Sequence, residues 1–88
     1  MKDPFITLYV IASKEQDGQN LHYKNTGIPF EVLIKHIAYI RESTDSEKKN
    51  HKKAEATIAA VKLTTGELLI ALGDFGDIAG EVQSLHAS

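Results

Sequence analysis

The chain has 88 residues, of which 42% are hydrophobic and 25% charged, and its formal net charge is −2. A protein of this size buries about 64% of the surface of its unfolded chain, so we expect a single domain with one modest core. Because the sequence contains no cysteine, it excludes disulfide scaffolds and zinc–thiolate modules.

The start of the sequence resembles neither a targeting signal nor a membrane anchor. Residues 1–4 lack the cationic region and the cleavage site of a signal peptide. The most apolar run, residues 5–12, is far too short to span a bilayer. We therefore expect a soluble, cytoplasmic protein without a membrane partner.

The first two predicted elements are strands. Residues 5–12 are dense in β-branched and aromatic side chains, which favours a strand buried on both faces. Asp17-Gly18 is a hairpin turn signal, because glycine adopts positive φ without steric cost. Residues 19–24 then alternate, with Leu21 and Tyr23 on one face, and predict a second, half-exposed strand.

The middle of the chain predicts a helical turn, a third strand and a loop. Pro29 is suited to open a single helical turn that runs through Leu33. Residues 36–42 predict the third strand, with Ile37 and Tyr39 on one face. Residues 43–53 contain no large apolar side chain, so they predict a solvated charged loop that is unusually long for a hairpin connection.

The last third predicts a hairpin and a helix. Residues 56–64 and 67–72 flank the turn signal Thr65-Gly66. Asp74, a suitable N-cap, precedes apolar residues at helical spacing, namely Phe75, Ile78, Ala79, Val82 and Leu85. This order predicts an α+β fold: a five-stranded, mostly antiparallel sheet or a small barrel with one C-terminal amphipathic helix.

Charge is unevenly distributed along the chain. Residues 1–33 carry a net charge of −1, residues 34–62 carry +3 and residues 63–88 carry −4. The cationic segment is suited to nucleic-acid phosphates, which bind lysine and arginine in a salt-dependent way. The candidate contact residues are Lys48, Lys49, Lys52 and Lys53, with help from Lys35, Arg41 and Lys62.

A solvated loop is the competing interpretation of this segment, and we favour it. Lysine-rich loops are common, and the acids Glu42, Asp45 and Glu47 dilute the positive field. Stacking of bases needs aromatic side chains, and the nearest one is Tyr39, on the preceding strand.

No set of residues has the spacing of a catalytic or metal site. The four histidines, His22, His36, His51 and His86, include no i,i+4 pair. Residues 74–76 spell the Asp-Phe-Gly triplet of protein kinases, but its partner motifs do not fit in 88 residues. Neither a cysteine nor a serine in a Gly-x-Ser-x-Gly turn offers a nucleophile. We therefore expect a non-enzymatic protein without metal or cofactor.

Parts of the chain resemble a family of DNA-binding domains. Residues 28–33, Ile-Pro-Phe-Glu-Val-Leu, leading into Tyr39-Ile40-Arg41-Glu42, are similar to the Ile-Pro-x-Glu-x-Ile element and Tyr-Ile-Glu-type strand of the LytTR domain. Residues 61–68 resemble that family's β-hairpin, and the helix at 78–85 follows as in the family. The pattern also resembles the small flagellar and swarming-motility proteins of the FlbD type. Over residues 28–86 the resemblance implies a hairpin-plus-helix fold and a role in bacterial regulation.

The sequence departs from the LytTR pattern in the part that reads DNA. In LytTR domains a Phe-x-Arg-x-His-Arg-Ser segment follows the helix and contributes to DNA recognition, and the matching residues are not found after Leu85. The loop at 43–53 is also longer than the family's usual connection. No DNA-contacting residue of the family therefore carries over to this chain.

Two functional hypotheses follow. Residues 5–12 form a strand that is apolar on both faces, in a chain with one helix to cover a sheet. This predicts a bacterial interaction or regulatory module that works by self-association, as a homo-oligomer, or by docking a protein partner. The alternative is a LytTR-like, nucleic-acid-binding regulator that uses the basic loop at 48–53.

Overall fold

The computed structural model describes residues 4–15, 18–24, 26–50 and 57–87. An antiparallel sheet and one long C-terminal helix dominate these ranges, so the predicted α+β class is confirmed. The strands are β1 (Phe5–Lys14), β2 (Asn20–His22), β3 (Ile28–Leu33), β4 (Ile37–Glu42), β5 (Ile58–Leu63) and β6 (Leu68–Leu72). A 3₁₀ turn (Ile34–His36) joins β3 to β4, and the helices are α1 (Asp45–Asn50) and α2 (Phe75–Ala87).

The sheet has six strands because the N-terminal hairpin partner of β1 is split in two. The strand order is β2-β1-β6-β5-β4, and β3 pairs with the N-terminal half of β1. Residues 9–14 of β1 pair with β6 on one edge, so β2 and β3 share the other edge. The chain leaves the ladder after His22, and a turn in which the Gly27 amide donates to the Lys24 carbonyl separates β2 from β3.

The helical turn predicted at residues 29–33 is wrong, because these residues belong to β3. Their alternation places Phe30 and Val32 opposite Leu8 and Ile6 of β1, in the core. Pro29 is tolerated there because an edge strand does not need every backbone N–H for the ladder. The turn of helix follows the strand, at Ile34–His36.

The sheet is strongly curved, since only the 3₁₀ turn joins its two edge strands β3 and β4. In a flat sheet these strands would lie four spacings, or roughly 19 Å, apart. A 3₁₀ turn of three residues advances only about 6 Å. Within the described residues β3 and β4 form no ladder with each other. The sheet is therefore rolled but open, and the closed barrel that the sequence also allowed does not form.

Helix α2 covers one face of the sheet, called here the helix face. Its Ile78 and Val82 are buried, and it contacts β1, β4, β5 and the 3₁₀ turn. The predicted cap is confirmed, because the Gly76 amide donates to Asp74 Oδ2 at 2.9 Å. The core on this face comprises Ile6, Leu8, Val10, Val32, Ile34, Ala59, Val61, Leu69, Ala71, Ile78 and Val82.

The opposite side of the sheet, called here the outer face, carries a second apolar cluster. It comprises Ile11, Ala12, Ile58, Ala60 and Ile70, with Leu68 and Leu72 packed against it. A β-bulge between Val10 and Ala12 shifts the register with β6, so Ile11 and Ala12 both join this cluster. After the bulge Ser13 is buried, and its hydroxyl lies 3.2 Å from the Tyr23 hydroxyl.

The burial of β1 corrects the predicted strand with two buried faces. From Val10 to Ser13 every side chain is buried. Before the bulge, only the helix-face residues Ile6, Leu8 and Val10 are buried, whereas Phe5 and Tyr9 on the outer face are 50% and 52% exposed. The sheet therefore leaves two aromatic side chains uncovered on the outer face.

The predicted solvated loop at 43–53 contains the short helix α1. A reciprocal capping box starts this helix: the Glu47 amide donates to Thr44 Oγ1 at 3.2 Å, and the Thr44 amide donates to Glu47 Oε1 at 2.9 Å. The solvated character holds for Asp45, Ser46, Lys48 and Lys49, which are exposed. Residues 51–53 of the predicted loop lie outside the described residues.

In the part of the chain that the structure describes, no helix has the length and apolarity to cross a membrane.

Candidate functional site

An ion pair attaches α1 to the end of β4. Arg41 Nη1 and Nη2 donate to Glu47 Oε1 and Oε2, each at 2.9 Å. Arg41 pairs with Ala60 across the ladder, so its side chain lies on the outer face. The buried Ser43 hydroxyl adds a bond to the Ile58 carbonyl at 3.2 Å. These contacts position α1 beside the outer face.

The charges of this pair stabilise each other. The hydrogen bond from Arg41 lowers the pKa of Glu47 below its ordinary value, and the Thr44 amide adds to the effect, while partial burial opposes it. The same bond raises the pKa of Arg41. Both charges of the pair are therefore satisfied within the protein.

A groove lies on the outer face between α1 and strand β2, and we call it the α1 groove. Its volume is about 480 Å³. Ala12, Leu68 and Ile70 of the second apolar cluster line it, together with Glu47 of α1. The remaining lining residues are Ser13, Lys14, Asn20, Leu21 and His22, from β1 and β2.

The exposed aromatic residues of β1 form a second feature of the outer face, which we call the aromatic patch. Phe5 pairs with Leu33, and Tyr9 pairs with Pro29 on one side and Leu72 on the other. Residues directly opposite each other in a ladder share a face. Phe5, Tyr9, Pro29, Leu33 and Leu72 thus lie on one face, which none of the described helices covers. The exposed pair Thr7 and Glu31 lies between the Phe5–Leu33 pair and the Tyr9–Pro29 pair.

The structure separates the residues predicted to contact nucleic acid. Lys48 and Lys49 are exposed on α1, whereas Arg41 is held by Glu47. Lys35 lies in the 3₁₀ turn before β4, at the opposite end of that strand from α1. Lys62 pairs with Tyr39 on the outer face. Lys52 and Lys53 lie outside the described residues.

The histidines are also dispersed. His22 lines the α1 groove, His36 is exposed on the 3₁₀ turn and His86 is exposed near the end of α2. His51 is not among the described residues. Within the described ranges no group of three His, Cys, Asp or Glu side chains is arranged to hold a metal ion.

No family model, curated protein or solved structure matches this chain. The resemblance to LytTR domains and FlbD-type proteins stays a prediction.

The sequence contained one signal for helix α1 that the prediction of a loop overlooked. Thr44 and Glu47 have the Ser/Thr-x-x-Glu spacing of a capping box. The ion pair with Arg41 had no comparable signal, because it joins a strand to the next helix and depends on the direction in which the chain turns at Ser43. The aromatic patch depends on which face of the sheet α2 covers, because α2 packs on the helix face and leaves Phe5 and Tyr9 exposed on the other.

Proposed function

We propose that this protein is a small interaction module that associates with a second copy of itself through the aromatic patch. The observation that carries the proposal is the half-exposure of Phe5 and Tyr9 on one face of one strand. Large aromatic side chains grouped on a surface mark interaction sites more often than scattered apolar residues do. The flanking Leu33 and Leu72 are only partly buried, so they extend the apolar surface.

The chemistry of the patch suits an interface in which both partners present the same surface. Aromatic and aliphatic side chains form its two ends, and between them the exposed Thr7 pairs with the exposed Glu31 of the edge strand β3. In a twofold dimer each patch covers the other, so no different partner surface is required.

The exposed aromatic area is comparable in free energy to the cost of association. Covering the exposed half of each aromatic side chain removes about 100 Å² from water, worth about 2.5 kcal/mol. Two such residues from each copy contribute about 10 kcal/mol, within the range of 4–15 kcal/mol that association costs. We therefore expect a dimer that dissociates on dilution.

The test is the molar mass of the protein in solution. Light scattering after size exclusion and sedimentation equilibrium should show a dimer that gives way to monomer on dilution. The double variant Phe5→Lys with Tyr9→Lys should be a monomer at every concentration, because four buried ammonium groups would oppose the interface.

The matched control is Tyr39→Lys, since Tyr39 on β4 is 51% exposed but lies outside the patch. This variant should dimerise as the unmodified protein does. The proposal would be contradicted if the unmodified protein were a monomer at all concentrations. It would also be contradicted if Tyr39→Lys lost the dimer to the same extent as the double variant at Phe5 and Tyr9.

A second candidate function is binding of single-stranded nucleic acid, and one observation favours it. Tyr39 is half-exposed and lies directly opposite Lys62 on the outer face. An aromatic ring beside an ammonium group combines base stacking with a phosphate contact. Lys48 and Lys49 would add phosphate contacts from α1, whereas Arg41 is engaged by Glu47.

This alternative is tested by gel retardation with single-stranded DNA and RNA at two salt concentrations. Replacing Tyr39 by Ala and Lys62 by Gln should weaken binding and lower the salt slope by about one. The control is Lys24→Gln, which replaces an exposed lysine between β2 and β3. It should change neither the affinity for nucleic acid nor the salt slope. Absence of retardation at low salt would exclude the alternative.

A further inference from the structure

The α1 groove combines an apolar floor with a polar wall. Ala12 and Ile70 at its floor are only 5% and 6% exposed. Lys14 and Asn20 face each other in the register between β1 and β2, and both line the groove. A volume of about 480 Å³ lies within the range of pockets that hold small molecules.

The unbalanced charge in the groove is positive. Among the lining residues that the structure describes, Glu47 is the only carboxylate, and both of its oxygens already accept hydrogen bonds from Arg41, with a further bond from the Thr44 amide. Lys14 forms no ion pair with any described residue. Among the described residues, the Lys14 ammonium group beside the apolar floor thus has no carboxylate partner.

We propose that the α1 groove binds a small carboxylic acid with an apolar body, in its ionised form. The carboxylate accepts hydrogen bonds from the Lys14 ammonium and the Asn20 amide, and the apolar body lies along Ala12, Leu68 and Ile70. A monoanion matches the single uncompensated ammonium, whereas a phosphate dianion would lack a second cation. This inference goes beyond self-association, because the aromatic patch contributes no residue to the groove.

The experiment is a titration of the isotopically labelled protein with decanoate, below the concentration at which decanoate forms micelles. Amide signals of β2 and of residues 12–14 and 68–70 should shift and saturate. Lys14→Gln should weaken decanoate binding about tenfold, which corresponds to about 1.4 kcal/mol, and Lys14→Glu should abolish it. Lys24→Gln should bind as the unmodified protein does.

Decanol serves as the uncharged counterpart of decanoate. It should bind at least tenfold more weakly, because an uncharged hydroxyl forms a weaker hydrogen bond with the ammonium group than a carboxylate does. Equal binding of decanol and decanoate, unchanged binding by Lys14→Gln, or an absence of saturable shifts in the groove would each overturn the proposal.

The two proposals fail independently. The variant with lysines at positions 5 and 9 should retain the decanoate-induced shifts in the groove even where it no longer dimerises. Shifts confined to β3 and the N-terminal half of β1 would place the ligand on the aromatic patch, and they would overturn the assignment to the groove.

Discussion

Gly27 lies where the backbone of the N-terminal hairpin passes close to Tyr9 of β1. Its φ is +81°, in the region that favours glycine. A Cβ placed there would lie 2.8 Å from Tyr9 Cβ and 3.0 Å from the Tyr9 carbonyl carbon. Gly27 thus allows the chain to enter β3 directly against Tyr9.

Replacing Gly27 by Ala should destabilise the protein by about 2–4 kcal/mol, because the strain of positive φ adds to a clash with backbone atoms that cannot rotate away. Gly18→Ala is the matched control: its φ is +92°, but nothing lies within 4 Å of the added Cβ. The Gly18→Ala variant should lose about 1 kcal/mol of unfolding free energy. Urea denaturation of the two variants measures these changes. Equal losses of unfolding free energy would show that the close approach to Tyr9 does not contribute to the effect of Gly27→Ala.

Among the elements, α1 depends most on specific side-chain contacts. It has six residues, too few for a stable isolated helix. Its capping box and the ion pair between Arg41 and Glu47 therefore supply much of its order. The Arg41 and Glu47 side chains are 35% and 17% exposed, so solvent screens the pair only in part.

We expect Glu47→Gln to lower the free energy of unfolding by about 1 kcal/mol at neutral pH through loss of the ion pair, because the glutamine keeps the carbonyl acceptor of the capping box but carries no charge. Because folding lowers the pKa of Glu47, its stabilising effect is fully present above the ordinary glutamate value of 4.5 and is lost as the pH falls through the folded-state pKa. The stability difference between the unmodified protein and the variant should therefore be constant at neutral pH and shrink below pH 4.5.

Denaturant titrations across this pH range provide the measurement. Glu31→Gln, on an exposed carboxylate of β3, is the control and should show little difference at any pH. A stability gap for Glu47→Gln that persists undiminished into acid would contradict an ionic origin.

The sequence predicted most strands and the terminal helix, because their signals are local. The Thr65-Gly66 turn, for example, forms with the Gly66 amide donating to the Leu63 carbonyl, and Gly66 has a φ of +98°. The helical turn predicted from Pro29 was wrong because proline suits both the first turn of a helix and an edge strand. The strand is decided by the pairing of β3 with β1, which the local sequence does not encode.

At the scale of the whole molecule, the outer face divides into three zones: the aromatic patch, the buried second cluster and the α1 groove. The apolar excess of residues 5–12 predicted an incompletely covered sheet, and the structure locates this surface at Phe5 and Tyr9. The groove could not be predicted, because it exists only where α1 and β2 lie beside the same apolar floor.

If the aromatic patch joins two copies, stability must depend on protein concentration. Association selects the folded state, so the midpoint of thermal unfolding should rise with concentration in the unmodified protein. The variant with lysines at positions 5 and 9 should unfold at one temperature throughout. A midpoint independent of concentration in both proteins would argue against a folded-state dimer.

The short connection between β3 and β4 also divides the sheet into an N-terminal hairpin, in which β1 pairs with the split partner β2 and β3, and a C-terminal meander. Strands β1 to β3 pair among themselves, as do β4 to β6, and the ladder between β1 and β6 alone joins the two halves of the sheet. That seam links residues from opposite ends of the chain, so its closure costs more loop entropy than either hairpin. We therefore expect the hairpin and the meander to form first, and the ladder between β1 and β6 last. Until it closes, β1 and β6 each present an unpaired edge to any neighbouring copy.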